Sequence, residues 1–259
     1  MEEINDDTYK KWHETYVGCT TEKEKVENAL AKLIAASPKR DTFLDVGAGD
    51  GDLTFRVAKH FQNATVIEPN KQVRGIFESK NVEFIEGYFE NIDLDKRTFD
   101  LILCSQVFWL VKRENQAAFI KKMHSHLAPG GKLAIIMVSP LGQSHRFYEK
   151  FFFDHNTTTH TILGDLHVMG LSAQVIPISF DFKSKSFEDF FNICKLFTLE
   201  SWLHPVNMSD ERIKKEIGNV ERYTEKKLKE ISQFIKDECH HNGEYLMNEE
   251  VDIIVVSKE

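Results

Sequence analysis

The sequence has little of what a disulfide-stapled, nucleic-acid-binding or membrane-spanning protein needs. Its four cysteines, Cys19, Cys104, Cys194 and Cys239, lie far apart, and without a CxxC pair they favour neither a zinc ribbon nor a disulfide framework. Lysine plus arginine (33) is outnumbered by aspartate plus glutamate (41), which disfavours nucleic acid or an anionic membrane as the main partner. The longest apolar run, residues 133–138, is too short to span a bilayer.

What remains is the composition of an ordinary globular protein. Over 259 residues, 41% are hydrophobic and 29% are charged, which excludes wholesale disorder and leaves ample material for a core. The first ten residues are acidic and polar, so we expect no secretory signal. These features favour a protein of a reducing compartment, the cytoplasm.

Short apolar runs alternate with helical patterns along most of the chain. Such alternation predicts an α/β fold, Rossmann-like, with a mostly parallel sheet and helices on both faces. Seven strands are predicted, at residues 42–46, 64–67, 82–85, 99–104, 132–138, 174–182 and 251–256. Helices are predicted at 8–36, 53–61, 71–79, 114–127, 161–169, 186–201 and 209–240.

The spacing of the strands suggests three parts. Residues 1–40 are predicted to be an N-terminal helical segment, and residues 41–182 with 244–259 form the Rossmann-like core. About sixty residues, 183–243, separate the last two strands, too many for a plain connection. We interpret them as a helical insertion that serves as a substrate lid.

The strongest local signal is the glycine-rich run 44–52, LDVGAGDGD, between the first strand and the next helix. Glycines allow a tight turn and a close approach by a ligand. The spacing is G-x-G-x-G and not the G-x-G-x-x-G of dinucleotide sites. A pyrophosphate would also meet Asp45, Asp50 and Asp52, with a repulsion of about 1–4 kcal/mol per close pair. A nucleoside that carries a cationic group fits better.

Further candidate ligands follow the next strands. Glu68 ends the second strand, where a carboxylate can accept both ribose hydroxyls. Tyr88 and Phe89 follow the third strand and offer aromatic faces for a base. The run 105–109, SQVFW, follows the fourth strand, at the edge where α/β proteins bind ligands.

These motifs, with Asp100 opening the fourth strand and the turn 129–131 before the fifth, resemble class I S-adenosylmethionine-dependent methyltransferases over about residues 40–140. The resemblance implies that Asp45 and Gly47 contact the amino-acid end of the cofactor, Glu68 the ribose and the Phe89 region the adenine. Tyr88 departs from the family, which often has an acid there, so Glu90 or Asn91 is left to reach the adenine amino group. The predicted cofactor-binding set is Asp45, Gly47, Gly49, Gly51, Glu68, Gln72, Phe89, Asn91 and Ser105.

Shorter matches resemble the histamine N-methyltransferases. They are the runs 20–22 (TTE) and 106–112 (QVFWLVK), and Met247-Asn248 before the last strand. This resemblance implies acceptor contacts at Glu22, Gln106 and the Asn248/Glu249 pair. That family has an asparagine where this chain has Glu249, and a carboxylate there favours a cationic acceptor.

Methyl transfer needs mainly a neutral lone pair brought into line with the sulfonium, so no dedicated catalytic residue is predicted. In this hypothesis Glu22 and Glu249 hold an ammonium tail, while Gln106 and an aromatic wall orient the acceptor. The predicted acceptor-binding residues are Tyr16, Glu22, Gln106, Trp109 and Glu249, with Phe108 also in the wall. No metal is expected, since Cys239, His240 and His241 are adjacent and cannot easily converge on one ion.

Several functions stay open at this point. The favoured one is methylation of a nitrogen of a small molecule, such as an imidazole or amine, by a protein that is monomeric. The alternatives are a carboxylate, hydroxyl or protein acceptor, or a cofactor-binding regulatory protein without turnover. Fold alone does not fix the acceptor.

Overall fold

We describe a computed structural model of the protein, for residues 6–151, 157–203 and 220–259. Every predicted strand is present, most of them extended by one or more residues. The strands are β1 Thr42–Val46, β2 Asn63–Glu68, β3 Glu83–Glu86, β4 Phe99–Ser105, β5 Leu127–Val138, β6 Ala173–Ser184, β7 His240–His241 and β8 Glu244–Ser257. The two-residue β7 is an addition to the seven that the sequence predicts.

The helices agree with the sequence patterns except near the N-terminus and at residues 143–151. The predicted helix 8–36 is in fact two helices, because Thr20 pairs with Phe182 in an isolated β-bridge. The α-helices are α1 Asp6–Cys19, α2 Glu22–Ala35, α3 Asp52–Ala58, α4 Arg74–Glu78, α5 Arg113–Ser125, α6 Gln143–Phe151, α7 Thr159–Val168, α8 Phe187–Leu203 and α9 Val220–Phe234. Helix α6 was not predicted, and residues 209–219 of the predicted helix 209–240 lie outside the described residues.

The sheet has the strand order β3-β2-β1-β4-β5-β8-β6, with β7 paired to β8. Strands β1 to β5 are parallel, and β8 runs antiparallel to β5. The predicted fold is therefore confirmed. Because β1, β2, β3 and β4 are parallel neighbours, the segments that follow them emerge at one edge of the sheet.

The central strands are buried on both faces, which is why they read as continuous apolar runs. Phe43, Leu44, Ile102 and Leu103 are each 0% exposed. At the opposite edge from the glycine loop, the Asp100 carboxylate accepts hydrogen bonds from the backbone N–H groups of Asp41 (2.7 Å) and Thr42 (3.0 Å). Asp100 thereby joins the start of β4 to the start of β1.

The chain divides into two compact units. Unit 1 comprises Met1–Glu22, Leu141–His155 and Ser179–Glu250, within which the helices carry many aromatic side chains. Unit 2 comprises Lys23–Pro140, Asn156–Ile178 and Val251–Glu259 and contains β1 to β5. In the described part of the chain no helix is both long and apolar enough to cross a membrane.

Candidate functional site

The glycine loop of unit 2 has the backbone that only glycine adopts without strain. Gly47, Gly49 and Gly51 have φ angles of +76°, +55° and +80°. A Cβ on Gly47 would lie 2.5 Å from Val107 Cγ2, and one on Gly51 would lie 2.7 Å from the rings of Phe55 and Phe77. A Cβ on Gly49 would meet nothing within 4 Å. The middle of the loop is thus the open part, where a ligand can approach the backbone.

Glu68, at the end of β2, ties this loop to its own strand. Its Oε2 accepts a hydrogen bond from the Gly49 N–H at 3.0 Å, and its Oε1 accepts one from the Asn70 N–H at 2.8 Å. The side chain is only 8% exposed. A carboxylate offers about four lone pairs, so two backbone donors leave acceptor capacity for the two hydroxyls of a ribose.

Asp45, in β1, has one oxygen satisfied and one not. Oδ2 accepts a hydrogen bond from the Thr54 hydroxyl at 2.6 Å, while the buried Oδ1 has no hydrogen-bond partner among the described residues. Burial raises the pKa of Asp45 to about 7, the Thr54 hydrogen bond opposes that rise, and the charge of Glu68 adds to it. An unpaired buried oxygen is costly, and a donor on a bound ligand would satisfy it.

Of the other two loop carboxylates, Asp52 is paired with cations and Asp50 is exposed. Asp52 forms ion pairs with Lys23 (3.0 Å) and Arg56 (3.1 Å), and Asp50 accepts the Asp52 backbone N–H at 3.1 Å. Asp52 is therefore largely compensated. The negative charge that a diphosphate would meet comes from Glu68 and the exposed Asp50, and from Asp45 when that group is ionised.

The turn after β3 places two neighbouring aromatic residues differently. The Phe89 ring is 3% exposed and packs edge-on against Phe119 at 5.0 Å, whereas Tyr88 is 65% exposed. The Phe89 side chain is thus part of the core, and its adenine contact stays a prediction for the backbone there. Asn91 and Gln72 are exposed, on short 3-10 turns.

Lys122 of α5 fixes this turn, a role that the sequence did not reveal. Its Nζ donates to the carbonyl oxygens of Phe89 (2.6 Å), Glu90 (3.1 Å) and Ile92 (2.6 Å). Burial lowers the pKa of Lys122, and the charge of Glu90 opposes that change. The only signal in the sequence is one lysine among several on a helix.

The segment after β4 carries the next predicted residues. Ser105 and Gln106 are half-buried, and Gln106 has a φ of +55°, a conformation that non-glycine residues seldom adopt. Its backbone N–H donates to the Ile136 carbonyl at 2.9 Å. Trp109 is 42% exposed, while Phe108 is fully buried in the core. Gln106 and Trp109 are therefore accessible, and Phe108 is not part of an exposed wall.

Unit 1 brings together the remaining predicted residues. The Tyr16 hydroxyl donates to Glu22 Oε2 at 2.5 Å. Burial raises the pKa of Tyr16 well above its ordinary value, and the charges of Glu22 and Glu249 raise it further. Burial likewise raises the pKa of Glu249 to about 8, with a further contribution from Glu22. These three side chains form one electrostatically coupled group.

Tyr148, which the sequence did not single out, completes this acid–phenol cluster of Tyr16, Glu22, Tyr148 and Glu249. It is 8% exposed, and burial followed by the charges of Glu249 and Glu22 raises its pKa. The ring of Tyr16 packs against Phe182 at 6.0 Å and against Phe197 at 5.0 Å. Two carboxyl groups and two phenols thus share an aromatic interior.

The two neighbours of Glu249 on β8 are less buried than Glu249 is. Asn248 is exposed, and its side-chain amide donates to Asp181 at 3.2 Å, while Glu250 accepts from the Ser179 hydroxyl at 3.0 Å. Glu249 itself is 6% exposed. Alternation along β8 buries Met247, Glu249 and Val251, a signal that distinguishes Glu249 from Glu250 in the sequence. No group of three or more metal-ligating side chains is found in the described ranges.

A comparison with known proteins finds similarity in the part of the chain that contains the glycine loop and the parallel strands. Residues 43–131 match the family model described as "Methyltransferase domain". This part of the chain is similar to methyltransferase domains. The predicted enzyme class, an S-adenosylmethionine-dependent methyltransferase, and its predicted cofactor agree with this match.

The curated relatives match this chain over only part of their own length. An uncharacterized methyltransferase of Staphylococcus carnosus is 35% identical over 102 residues, 39% of this chain and 49% of that protein. The malonyl-[acyl-carrier protein] O-methyltransferase of Halalkalibacterium halodurans is 29% identical over 157 residues, 54% of this chain and 55% of that protein. The chain thus spans about half the length of these relatives.

Solved structures show the same fold over more of the chain. A protein of Bacillus halodurans C-125 aligns with a TM-score of 0.58 at 20% identity and covers 89% of this chain and 97% of its own. The plantazolicin methyltransferase BpumL, solved in complex with SAH, aligns with a TM-score of 0.55 at 13% identity and covers 99% and 92%. At these identities the likeness establishes the fold and not the acceptor.

Proposed function

We propose that the protein is an S-adenosylmethionine-dependent methyltransferase that methylates a nitrogen of a small cationic molecule, such as an imidazole or amine with an ammonium tail. The observation that carries the cofactor part is the open backbone at Gly49, held by Glu68 and flanked by the unsatisfied Oδ1 of Asp45. The observation that carries the acceptor part is the acid–phenol cluster of unit 1, in which Tyr16, Tyr148 and Glu249 are buried and Glu22 is half-buried.

The residues of unit 2 fit this cofactor in chemistry as well as in space. Glu68 retains acceptor capacity for ribose hydroxyls, and the buried Asp45 oxygen lacks a donor that an amino-acid ammonium can provide. Gly47, Gly49 and Gly51 keep side chains out of the loop. Gln72, Asn91 and Ser105 are proposed as further polar contacts, since all three are at least partly exposed.

When bound, the cofactor supplies an electrophilic methyl group on a positively charged sulfur. The chain has to hold the acceptor and present a neutral lone pair in the correct orientation. A neutral imidazole has such a lone pair near pH 7, whereas an alkyl amine must first lose a proton. We propose that Glu22 and Glu249 bind the ammonium tail and that Tyr16, Gln106 and Trp109 orient the acceptor.

Two further parts of this proposal concern the whole molecule. Residues 183–243 are proposed as a lid over the acceptor, and deletion of that segment should abolish turnover. The protein is proposed to be a cytoplasmic monomer with no nucleic acid or membrane partner. Size-exclusion chromatography with light scattering tests the oligomeric state directly.

The experiment is methyl transfer from isotopically labelled S-adenosylmethionine to a panel of imidazoles, amines and carboxylates, with mass spectrometry of the products. We expect labelled product from at least one compound with an ammonium or imidazole group and none from its neutral isostere. Turnover of carboxylates alone would favour the second candidate, an O-methyltransferase, which the name of the Halalkalibacterium relative suggests. Cofactor binding without any product would favour a regulatory protein.

A further inference from the structure

A hydroxyl group in unit 1 is buried without a hydrogen bond. Ser144 of α6 is 0% exposed, and its Oγ has no hydrogen-bond partner among the described residues. Folded proteins rarely bury a hydroxyl unpaired, because the loss of its hydration is then uncompensated. The Oδ1 of Asp45 is in the same situation at the glycine loop, where the bound cofactor is proposed as its partner. A bound ligand is likewise the partner to expect for Ser144.

The position of Ser144 in α6 relates it to the acid–phenol cluster. Tyr148, a member of that cluster, follows it by four residues, so the two side chains lie on one face of the helix, one turn apart. This face is the buried one, and it also carries Phe147 and Phe151. The Ser144 hydroxyl therefore lies one helical turn before a phenol of the cluster.

Strand β8 passes close to the same hydroxyl. A Cβ on Gly142 would lie 3.2 Å from the Ser144 Oγ. It would also lie 2.9 Å from the backbone nitrogen of Glu250 and 3.5 Å from the carbonyl carbon of Glu249. Because residue 142 has no side chain, the start of α6 can approach the backbone of β8 at the residue that the cluster contributes from this strand, Glu249.

Gln143 holds the start of α6 against β8. Its Nε2 donates to the carbonyl oxygen of Glu238 at 3.2 Å, and its Oε1 accepts the backbone N–H of Asn248 at 3.3 Å. The residue before Ser144 is thus bonded to the residue before Glu249. A hydroxyl fixed in this way is already in place for a ligand, which lowers the ordering cost of binding.

The neighbours of the Ser144 hydroxyl define what the ligand offers. An ionised carboxylate such as that of Glu249 only accepts hydrogen bonds, and a cation beside it favours the ionised form. A ligand group shared by the carboxylate and the hydroxyl therefore has to be a cationic donor with two N–H bonds or more. Primary and secondary ammonium groups meet this condition, whereas a tertiary ammonium has one N–H bond and a quaternary ammonium has none.

We infer that Ser144 determines acceptor specificity: its Oγ accepts a hydrogen bond from the ammonium group that Glu249 binds, and this contact selects primary and secondary ammonium groups over tertiary and quaternary ones. The inference rests on the proposed function and adds a residue and a selection rule to its acceptor site. A quaternary ligand leaves Oγ as unpaired as it is in the free protein. A primary one satisfies it, so the hydroxyl contributes to the binding of the primary ligand alone.

The test is calorimetric titration of the full chain with 2-phenylethylammonium and with its N,N,N-trimethyl derivative. We expect the wild type to prefer the primary ligand. Ser144→Ala should bind the primary ligand about tenfold more weakly or worse, since a hydrogen bond to a charged group is lost, and should bind the quaternary ligand within about twofold of the wild type. Equal weakening of both ligands, or no weakening of either, would overturn the inference.

Urea denaturation without ligand separates a ligand contact from a structural role. Ser144→Ala removes an unpaired buried hydroxyl, so its unfolding midpoint should be unchanged or higher. The matched control is Thr159→Val, because Thr159 is also buried but donates to the buried Asp252 carboxylate at 2.7 Å. The control should lower the midpoint and leave the ligand preference as in the wild type. A clearly lower midpoint in Ser144→Ala would show that its hydroxyl is paired within the folded chain and would overturn the inference.

Titration of S-adenosylhomocysteine into the wild type and Ser144→Ala distinguishes this inference from the proposed function. Its affinity should be equal in both, because the glycine loop and Glu68 are intact. If S-adenosylhomocysteine binds and the wild type does not bind the primary ammonium, or binds it no better than the quaternary one, the inference is overturned while the methyltransferase assignment stands. If S-adenosylhomocysteine itself fails to bind, the proposed function fails.

Discussion

The Glu68 carboxylate accepts the Gly49 backbone N–H at 3.0 Å, and this single hydrogen bond joins the end of β2 to the middle of the glycine loop. It relates two features that the sequence separates by nineteen residues. The loop is thereby held in a fixed shape before any nucleoside arrives, which lowers the ordering cost of binding.

Substitution by alanine should lower the free energy of unfolding by different amounts at Gly49 and at Gly51. Gly51→Ala places a Cβ 2.7 Å from two phenylalanine rings at a φ of +80°, and we expect the free energy of unfolding to fall by about 2–4 kcal/mol. Gly49→Ala enters open space, so only the cost of its positive φ, about 1 kcal/mol, should appear. Urea denaturation measures both.

In Gly49→Ala, the affinity for S-adenosylhomocysteine should fall although the free energy of unfolding changes little. If the ligand approaches the backbone there, Gly49→Ala should bind it at least tenfold more weakly in spite of its near-native stability. Undiminished affinity in that variant would show that the nucleoside does not contact this part of the loop.

Asp45 should make cofactor binding depend on pH. Its pKa is about 7 in the folded chain because it is buried, so it changes from mostly neutral at pH 6 to mostly ionised at pH 8. An ammonium placed at Oδ1 favours the ionised form. Affinity for S-adenosylhomocysteine should therefore rise about 5- to 10-fold over that range. Asp45→Asn should lose this rise, and an equal rise in the variant would assign the effect elsewhere.

Lys122 should stabilise the turn after β3. Lys122→Met removes a charged donor from three carbonyl oxygens, and we expect a loss of about 1–3 kcal/mol in the free energy of unfolding together with weaker nucleoside binding. The matched control is Lys121→Met, because Lys121 is the adjacent and exposed residue. Equal effects of the two substitutions would contradict the role given to Lys122.

Glu249 should reduce stability as the pH rises. Its pKa is about 8 in the folded chain against an ordinary 4.5, so between these values the folded state binds more protons at this site than the unfolded state does. The free energy of unfolding then falls with pH, by up to about 1.4 kcal/mol per unit from this group. Glu249→Gln should match the wild type near pH 4.5 and exceed it at pH 8.5. A wild-type curve parallel to that of the variant would contradict the assigned burial.

Much of unit 2 could be predicted because its signals are local. Strand β1 is found at its predicted residues, since a strand buried on both faces must be apolar throughout. Glu68 could be predicted for the same reason, because a charged residue at the end of such a strand lies at the ligand-binding edge. The division of 8–36 into two helices could not, because it depends on the contact between Thr20 and the distant Phe182.

Among the site residues, too, those with a local signal could be predicted and those that depend on long-range packing could not. No local pattern tells that Phe89 enters the core while Tyr88 stays exposed, since two adjacent aromatic residues are equally apolar. The roles of Tyr148 and Lys122 depend on packing between distant elements and leave no trace in the spacing. A family resemblance predicts a role for Glu249, and the alternation of β8 supports its burial independently.

The central claim is that the loop at Gly49, held by Glu68, binds the S-adenosyl nucleoside, and its most direct test is calorimetric titration of S-adenosylhomocysteine and of NAD into the wild type and Glu68→Ala. We expect saturable binding of the nucleoside to the wild type, a loss of at least tenfold in the variant, and little or no binding of NAD. Unchanged affinity in Glu68→Ala, or tighter binding of NAD than of S-adenosylhomocysteine, would contradict the account.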